Sequence, residues 1–165
     1  MERREKTEFL LEQMRFQVLV ARGKDSEDLK EGKTELTRSE ADWIKVRVGG
    51  RKVNEGFLKE PANQVSHSFL SWTLIITKIC SQDLKLKYYD LMIQYALHMR
   101  AFLDVAQYYH KVWETPSIKE EEKGKGKEAL EHVVYYVVLS PHSNEQSDML
   151  HRVFHYPELI KLEPH

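Results

Sequence analysis

The chain has 165 residues, with 25 lysines and arginines against 26 acidic residues and a net charge of -1. That balance leaves no basic surplus to neutralise a phosphate backbone or an anionic bilayer, which argues against nucleic acid and membrane surfaces as main partners. One cysteine, Cys80, excludes an internal disulfide and a CxxC metal knuckle and suits a reducing compartment. The longest apolar runs, VVYYVVL and WTLII, fall far short of the roughly 20 residues a membrane helix needs, and the start, MERREKTEF, is too charged for a secretory signal.

From Thr7 to Ala21, Leu10, Leu11, Met14, Phe16, Val18, Leu19 and Val20 recur at steps near three and four. This predicts a helix stopped by Gly23. Residues 22–38, RGKDSEDLKEGKTELTR, carry too little apolar surface to offset ordering entropy and read as a solvated linker. Ser39, with Asp42 three positions on, reads as the N-cap of a second helix lined by Trp43, Val46, Val53 and Phe57, its middle weakened by Gly49 and Gly50. Together these form an N-terminal helical part, residues 1–60.

Pro61 ends that rhythm, and residues 61–82 read as an irregular insertion. Within it the β-branched cluster from Phe69 to Ile79 suits strand and helix alike. Periodicity then becomes clean. Leu84, Tyr88, Leu91, Met92 and Tyr95 share one helical face, and Phe102, Val105, Ala106, Tyr109, Val112 and Trp113 share the next, predicting a hairpin closed at Thr115-Pro116. The run KEEEKGKGK, Lys119 to Lys127, reads as a polar connector. A second hairpin follows: Ala129, Leu130, Val133, Val134, Val137 and Val138, then, after Pro141, Met149, Leu150, Val153 and Phe154. VVYYVV alone would suit a strand, but the helix-forming GKEALEH before it and the persistent i, i+1, i+4, i+5 pairs favour a helix. The expectation is an all-α chain with two tetratricopeptide-like helical hairpins over residues 83–156, stacked as part of a solenoid, and a tail at 157–165. Tyr88, Met92, Phe102, Tyr109, Val133 and Val137 are the expected core of those hairpins.

The stretch around the last proline sets Ser140, His142, Ser143, Asp148 and His151 within a dozen residues, the letters of a hydrolase triad. A serine nucleophile needs a strained elbow and oxyanion donors, yet Ser140 precedes Pro141, no G-x-S-x-G exists and the nearest upstream glycine is Gly126. Ser143 with Gln146 instead spells a capping box, and Asp148 with Arg152 a surface ion pair worth about 0.3 kcal/mol. His151 and His155 have zinc-ligand spacing, but no third ligand lies nearby in sequence and no acid sits between them, so they read as surface histidines. The aromatic residues Tyr88, Tyr89, Tyr108, Tyr109 and Trp113 read as packing rather than a peptide cleft. No catalytic, cofactor-binding, metal or small-molecule site follows from these residues.

The segments LKLKYYDLMIQ (84–94), YYHKVWETP (108–116) and ALEHVVYYVVLSPHSNEQSDMLHRV (129–153) resemble, in order and spacing, the PCI family of proteasome lid subunits. FLLEQMRFQVLVA and DWIKVRVGGRKVNEGFLKE look like earlier helices of the same family, so the resemblance covers about two thirds of the chain. Its most specific piece contains Pro141, Asn144, Glu145, Gln146, Ser147, Asp148, His151 and Arg152. The resemblance implies a right-handed helical solenoid leading into a C-terminal winged-helix PCI domain, which these 165 residues do not contain. Against that family, residues 22–38 and 61–82 look inserted, and FHYPELIKLEPH departs from it. It further implies a non-catalytic scaffold in ubiquitin-dependent degradation, cytoplasmic and nuclear, with other lid and base subunits as partners and no cofactor. The alternatives are a PCI scaffold of the signalosome or translation-initiation type and, last, a serine hydrolase.

Overall fold

The computed structural model describes residues 3–32, 37–59, 71–119 and 124–161, and among them all regular structure is helical. In chain order these are α1 (Arg3–Lys30), α2 (Thr37–Lys52), α3 (Glu55–Lys59), α4 (Ser71–His98), α5 (Phe102–Trp113), α6 (Pro116–Lys119), α7 (Lys125–Leu139), α8 (Asn144–Phe154) and a 3-10 helix (Pro157–Lys161). The chain divides into two compact units, Met1–Tyr95 and Ala96–His165.

In the first unit α1 does not stop at Gly23; it runs on to Lys30, so most of the expected linker is helix. The reason lies in its buried positions, Thr7, Leu11, Met14, Val18, Ala21 and Asp28, which step by four and three residues as far as Ala21 and then by one whole heptad along one seam. Polar contacts extend that seam beyond the apolar residues. Lys24 bonds Asp42, and Trp43 Nε1 donates to Asp25 Oδ2 at 3.1 Å, tying the last turns of α1 to α2. Tertiary bonding outweighs the weak helix propensity of this charged stretch. Phe16 and Leu19, expected on the apolar face, are exposed instead.

Helix α2 begins at Thr37, two residues before the expected cap, and Ser39 sits buried in its first turn. Trp43, Val46 and Val53 are buried as expected; the Phe57 side chain lies outside the described residues. Gly49 and Gly50 do not break this helix. A Cβ on Gly49 would stand 2.6 Å from Met14 Cγ, and one on Gly50 2.7 Å from Met92 Sδ, so the glycine pair is where methionines of α1 and α4 seat. Residues 61–70 lie outside the described residues, whereas 71–82 begin α4, so the latter part of the expected irregular insertion is helical.

The second unit opens on a turn that ends α4. Ala101 N–H donates to Ala96 O at 2.9 Å and Arg100 N–H to Leu97 O at 3.1 Å, a Schellman closure with Arg100 at φ 54, where glycine is usual. Helices α5 and α7 then pack together, with α8 laid on them. Ala106, Val133, Val137, Met149 and Val153 form one apolar cluster, and Trp113, Ala129 and Leu130 another. Val133 and Val137 are buried as expected, but Phe102 and Tyr109 are only half-buried. Their rings form a stack at the margin of the core: Phe102 on Tyr136 at 6.2 Å, Tyr136 on Tyr109 at 5.8 Å, and Tyr109 on His132 at 4.7 Å, with Tyr109 and Tyr136 packed against the first cluster. Likewise Val138, Leu150 and Phe154 are exposed.

The polar connector is shorter than expected. Residues 120–123 lie outside the described ones, and α7 starts at Lys125 behind Gly124, whose φ of 80 turns the chain. Gly126 lies inside α7, where a Cβ would stand 3.0 Å from Ile118 O, so α6 approaches the helix closely there.

Candidate functional site

The triad letters fall at the junction between α7 and α8, and the backbone explains where each goes. Pro141 cannot continue a helix and holds the residue before it extended, so Ser140 caps α7 at φ -74, ψ 146. Its buried hydroxyl donates to Val137 O at 2.7 Å. Ser143, at φ -151, ψ 165, is the N-cap of α8, and its Oγ accepts from Gln146 N–H at 3.0 Å. Both serines therefore serve helix termini.

Only half of the expected capping box is present. The buried Gln146 side chain does not return to the Ser143 backbone; its Nε2 donates to Val137 O at 3.1 Å. Val137 O thus accepts from two side chains, one on each side of the turn. Asp148 Oδ2 pairs with Arg152 at 3.1 Å, both well exposed, so the acid faces an arginine rather than a histidine. His142 Nδ1 lies 3.5 Å from Ser147 Oγ at the surface. Pro141, Asn144, Glu145 and His151 are exposed. Of the eight motif residues, then, Gln146 alone is buried, and it ties two helices together.

His151 and His155 do stand side by side, ring centroids 4.5 Å apart, and His155 Nδ1 donates to His151 O at 2.7 Å. Among the described residues, no group of three or more His, Cys, Asp or Glu could hold a metal ion.

A cluster missed by sequence periodicity surrounds His110. Its Nε2 lies 2.7 Å from Tyr156 Oη, while Nδ1 faces Glu114 Oε2 at 3.7 Å. The acid favours the proton on Nδ1, so the tyrosine hydroxyl donates to Nε2. Tyr156 also packs on Trp113 at 4.8 Å, and Lys119 Nζ sits 4.0 Å over the Trp113 ring. Burial pushes the His110 pKa below the usual histidine value, Glu114 pulling it back and Arg152 and Lys119 adding to the drop. Burial likewise raises Tyr156. Tyr156 and Leu159 thereby join the core, so the segment after α8 is held on the unit by specific contacts. The signal available in the sequence was the aromatic-proline pair Tyr156-Pro157 following α8.

These sites are joints between helices. Residues 1–121 match the family model described as PSMD12/CSN4, N-terminal. The chain belongs to the PSMD12/CSN4 N-terminal family. Relatives of this family member include the 26S proteasome regulatory subunit RPN5 of Saccharomyces cerevisiae, 32% identical over 163 residues, covering 99% of this chain and 28% of that protein. The 26S proteasome non-ATPase regulatory subunit 12 of Dictyostelium discoideum is 29% identical over 163 residues, with 99% and 28% covered. The 26S proteasome regulatory subunit rpn501 of Schizosaccharomyces pombe is 49% identical over 72 residues, covering 44% of this chain and 16% of that protein. The chain spans less than a third of the length of these relatives. The α7–α8 joint lies beyond the family-model match but within the span aligned to RPN5.

Proposed function

We propose that this chain acts as a non-catalytic scaffold module of the proteasome regulatory particle lid, in ubiquitin-dependent protein degradation, in cytoplasm and nucleus. The observation that carries the reading is the family match over residues 1–121 together with relatives that are themselves 26S proteasome regulatory subunits. The all-helical architecture supports it. In this reading the helical pairs stack as part of a right-handed, tetratricopeptide-like solenoid, each pair needing its neighbours to bury its apolar faces.

The mechanism is positional. The motif positions helices rather than reacting: Pro141 breaks α7, Asn144, Glu145, Gln146, Ser147 and Asp148 build the first turns of α8, Gln146 ties the two helices together, and His151 and Arg152 stand on the exposed face of α8. In this reading position is transmitted through fixed helix joints, and the α7–α8 joint is held by two buried hydrogen bonds to Val137 O. The partners are other lid and base subunits, and no cofactor, nucleic acid, membrane or small-molecule substrate enters the reading. Among the described residues no helix is long and apolar enough to cross a membrane. A tagged chain expressed in cells tests the proposal. Co-purification of proteasome lid subunits is expected, whereas recovery with an unrelated complex, or with none, overturns it.

A further inference from the structure

We infer that the groove between α1 and α2 docks an amphipathic helix of a partner protein carrying acidic residues beside its apolar face. The inference rests on the scaffold reading above for the existence of a partner and on the groove itself for its chemistry. Leu10 and Met14 of α1 and Ile44 and Val48 of α2 give the groove apolar walls and base. Ile44 is 54% and Val48 43% exposed, one turn apart on the same face. Gly49 lets Met14 sit deep, opening the space above it, a cavity of about 190 Å³. Further exposed apolar side chains stand on the outer face of α1. Phe9 and Phe16, 55% and 67% exposed, stand at i-4 and i+3 from Gln13, which lines the groove. A run of large exposed apolar side chains of this kind marks an interaction surface.

Charge selects the occupant. The lining charges are Lys45 and Lys52, and among the described residues no carboxylate lines the groove. Two carboxylates of α1, Glu8 and Glu12, line a different groove with Arg4, Asp83 and Lys87, where Arg4–Glu8 at 2.9 Å and Lys87–Asp83 at 2.8 Å pair within the unit. Lys45 is shared with Asp42 at 2.8 Å but remains exposed. The lined stretches, 10–17 on α1 and 44–52 on α2, run about two helical turns, the length over which a helix presents anchors at i, i+3 or i+4, and i+7. Acids flanking those anchors would meet the lysines; a basic helix would meet like charge.

The test is site-specific photocross-linking of the tagged chain in cells, with benzoylphenylalanine replacing Ile44, and Asp104 on α5 as an exposed control position. The expected result is a cross-link from position 44, absent from 104, whose mapped segment is helical, apolar at one face and acidic at its flanks. Val48→Asp should abolish it and Lys52→Glu lower its yield several-fold, with the fold of both variants checked by circular dichroism. A mapped segment that is basic, or that belongs to a second copy of this chain, overturns the inference. Co-purification with lid subunits but no cross-link from 44 overturns the groove and leaves the scaffold reading standing. A cross-link to an acidic helix of a protein outside the proteasome does the reverse.

Discussion

Gln146 of α8 donates its side-chain amide to Val137 O of α7 at 3.1 Å, and Ser140 donates to the same oxygen at 2.7 Å. The last carbonyls of a helix have no partner inside it, and this one is buried by the helix that follows. One acceptor with two donors makes the joint redundant. Gln146→Ala and Ser140→Ala should each cost about 1 kcal/mol, because the other donor remains. The double variant should cost more than their sum, since a buried carbonyl then loses both side-chain partners. Urea unfolding of the four proteins measures this; additive losses would mean that the two bonds do not share a role.

Ser143 tests the other side of the joint. Ser143→Ala should cost about 1 kcal/mol, and Ser143→Asp should stay near wild type, because aspartate caps equally well and favours the helix N-terminus. Thermal melts decide it. With Gln146 committed to Val137 and not to a reciprocal box, Gln146→Glu should weaken the protein rather than improve the cap, since a carboxylate would face a carbonyl.

Two glycines inside helices should respond in opposite directions. At Gly23 a Cβ meets nothing within 4 Å, so Gly23→Ala should stabilise α1 by up to about 1 kcal/mol through helix propensity. At Gly49 the same gain competes with a Cβ 2.6 Å from Met14 Cγ, an atom near the root of a buried side chain that cannot swing clear. Overpacking typically costs about 1 to 3 kcal/mol, so the clash wins and Gly49→Ala should destabilise. Equal gains at both positions would contradict the close seating of α1 on α2.

What the sequence made legible follows from where local and tertiary forces agree. Residues 128–154 read correctly as two helices because Ala129, Leu130, Val133 and Val137 keep helical spacing and Pro141 forces the break. The cap at Ser143 was legible because its bond reaches only three residues. The end of α1 was not. Gly23 and the charges after it argue for a stop, and what overrides them is Lys24 and Asp25 reaching Asp42 and Trp43, partners 18 residues away. Phe102 and Tyr109 failed as core residues for a related reason: periodicity names a face but not its depth, and their faces meet Tyr136 at the edge of the α5–α7 contact. The Gln146–Val137 bond spans nine residues and a turn, so only the folded chain shows that the box residue points elsewhere.

The His110 cluster carries a pH dependence with a definite sign. Its folded pKa is depressed below the ordinary value of about 6.5, so the unfolded chain takes up a proton first as pH falls. Stability from this group is present above that value and is lost as pH falls through it toward the lower folded pKa. Protonation would also place the charge beside Arg152 and Lys119 and remove the lone pair that accepts from Tyr156, with Glu114 opposing. His110→Gln should flatten that part of the pH–stability curve, and proton resonances of the His110 ring should titrate below the usual range.

Arg100 is the last residue that departs from what its position demands. At φ 54 it occupies the left-handed region that ends α4, in a closure whose two hydrogen bonds, 2.9 and 3.1 Å, are both made. Placing a side chain with a Cβ there costs about 1 to 2 kcal/mol, a strain that glycine does not carry. Glycine loses more backbone freedom on folding, which offsets roughly 0.5 to 1 kcal/mol of that difference. The native strain outweighs the entropy loss, so Arg100→Gly should raise stability by about 0.5 to 1 kcal/mol. Arg100→Val should lower it, because β-branching makes positive φ harder still. Chemical denaturation of the two variants beside the parent checks the order Gly, Arg, Val. If glycine ranks below arginine, the turn between α4 and α5 is not held in this Schellman geometry in solution.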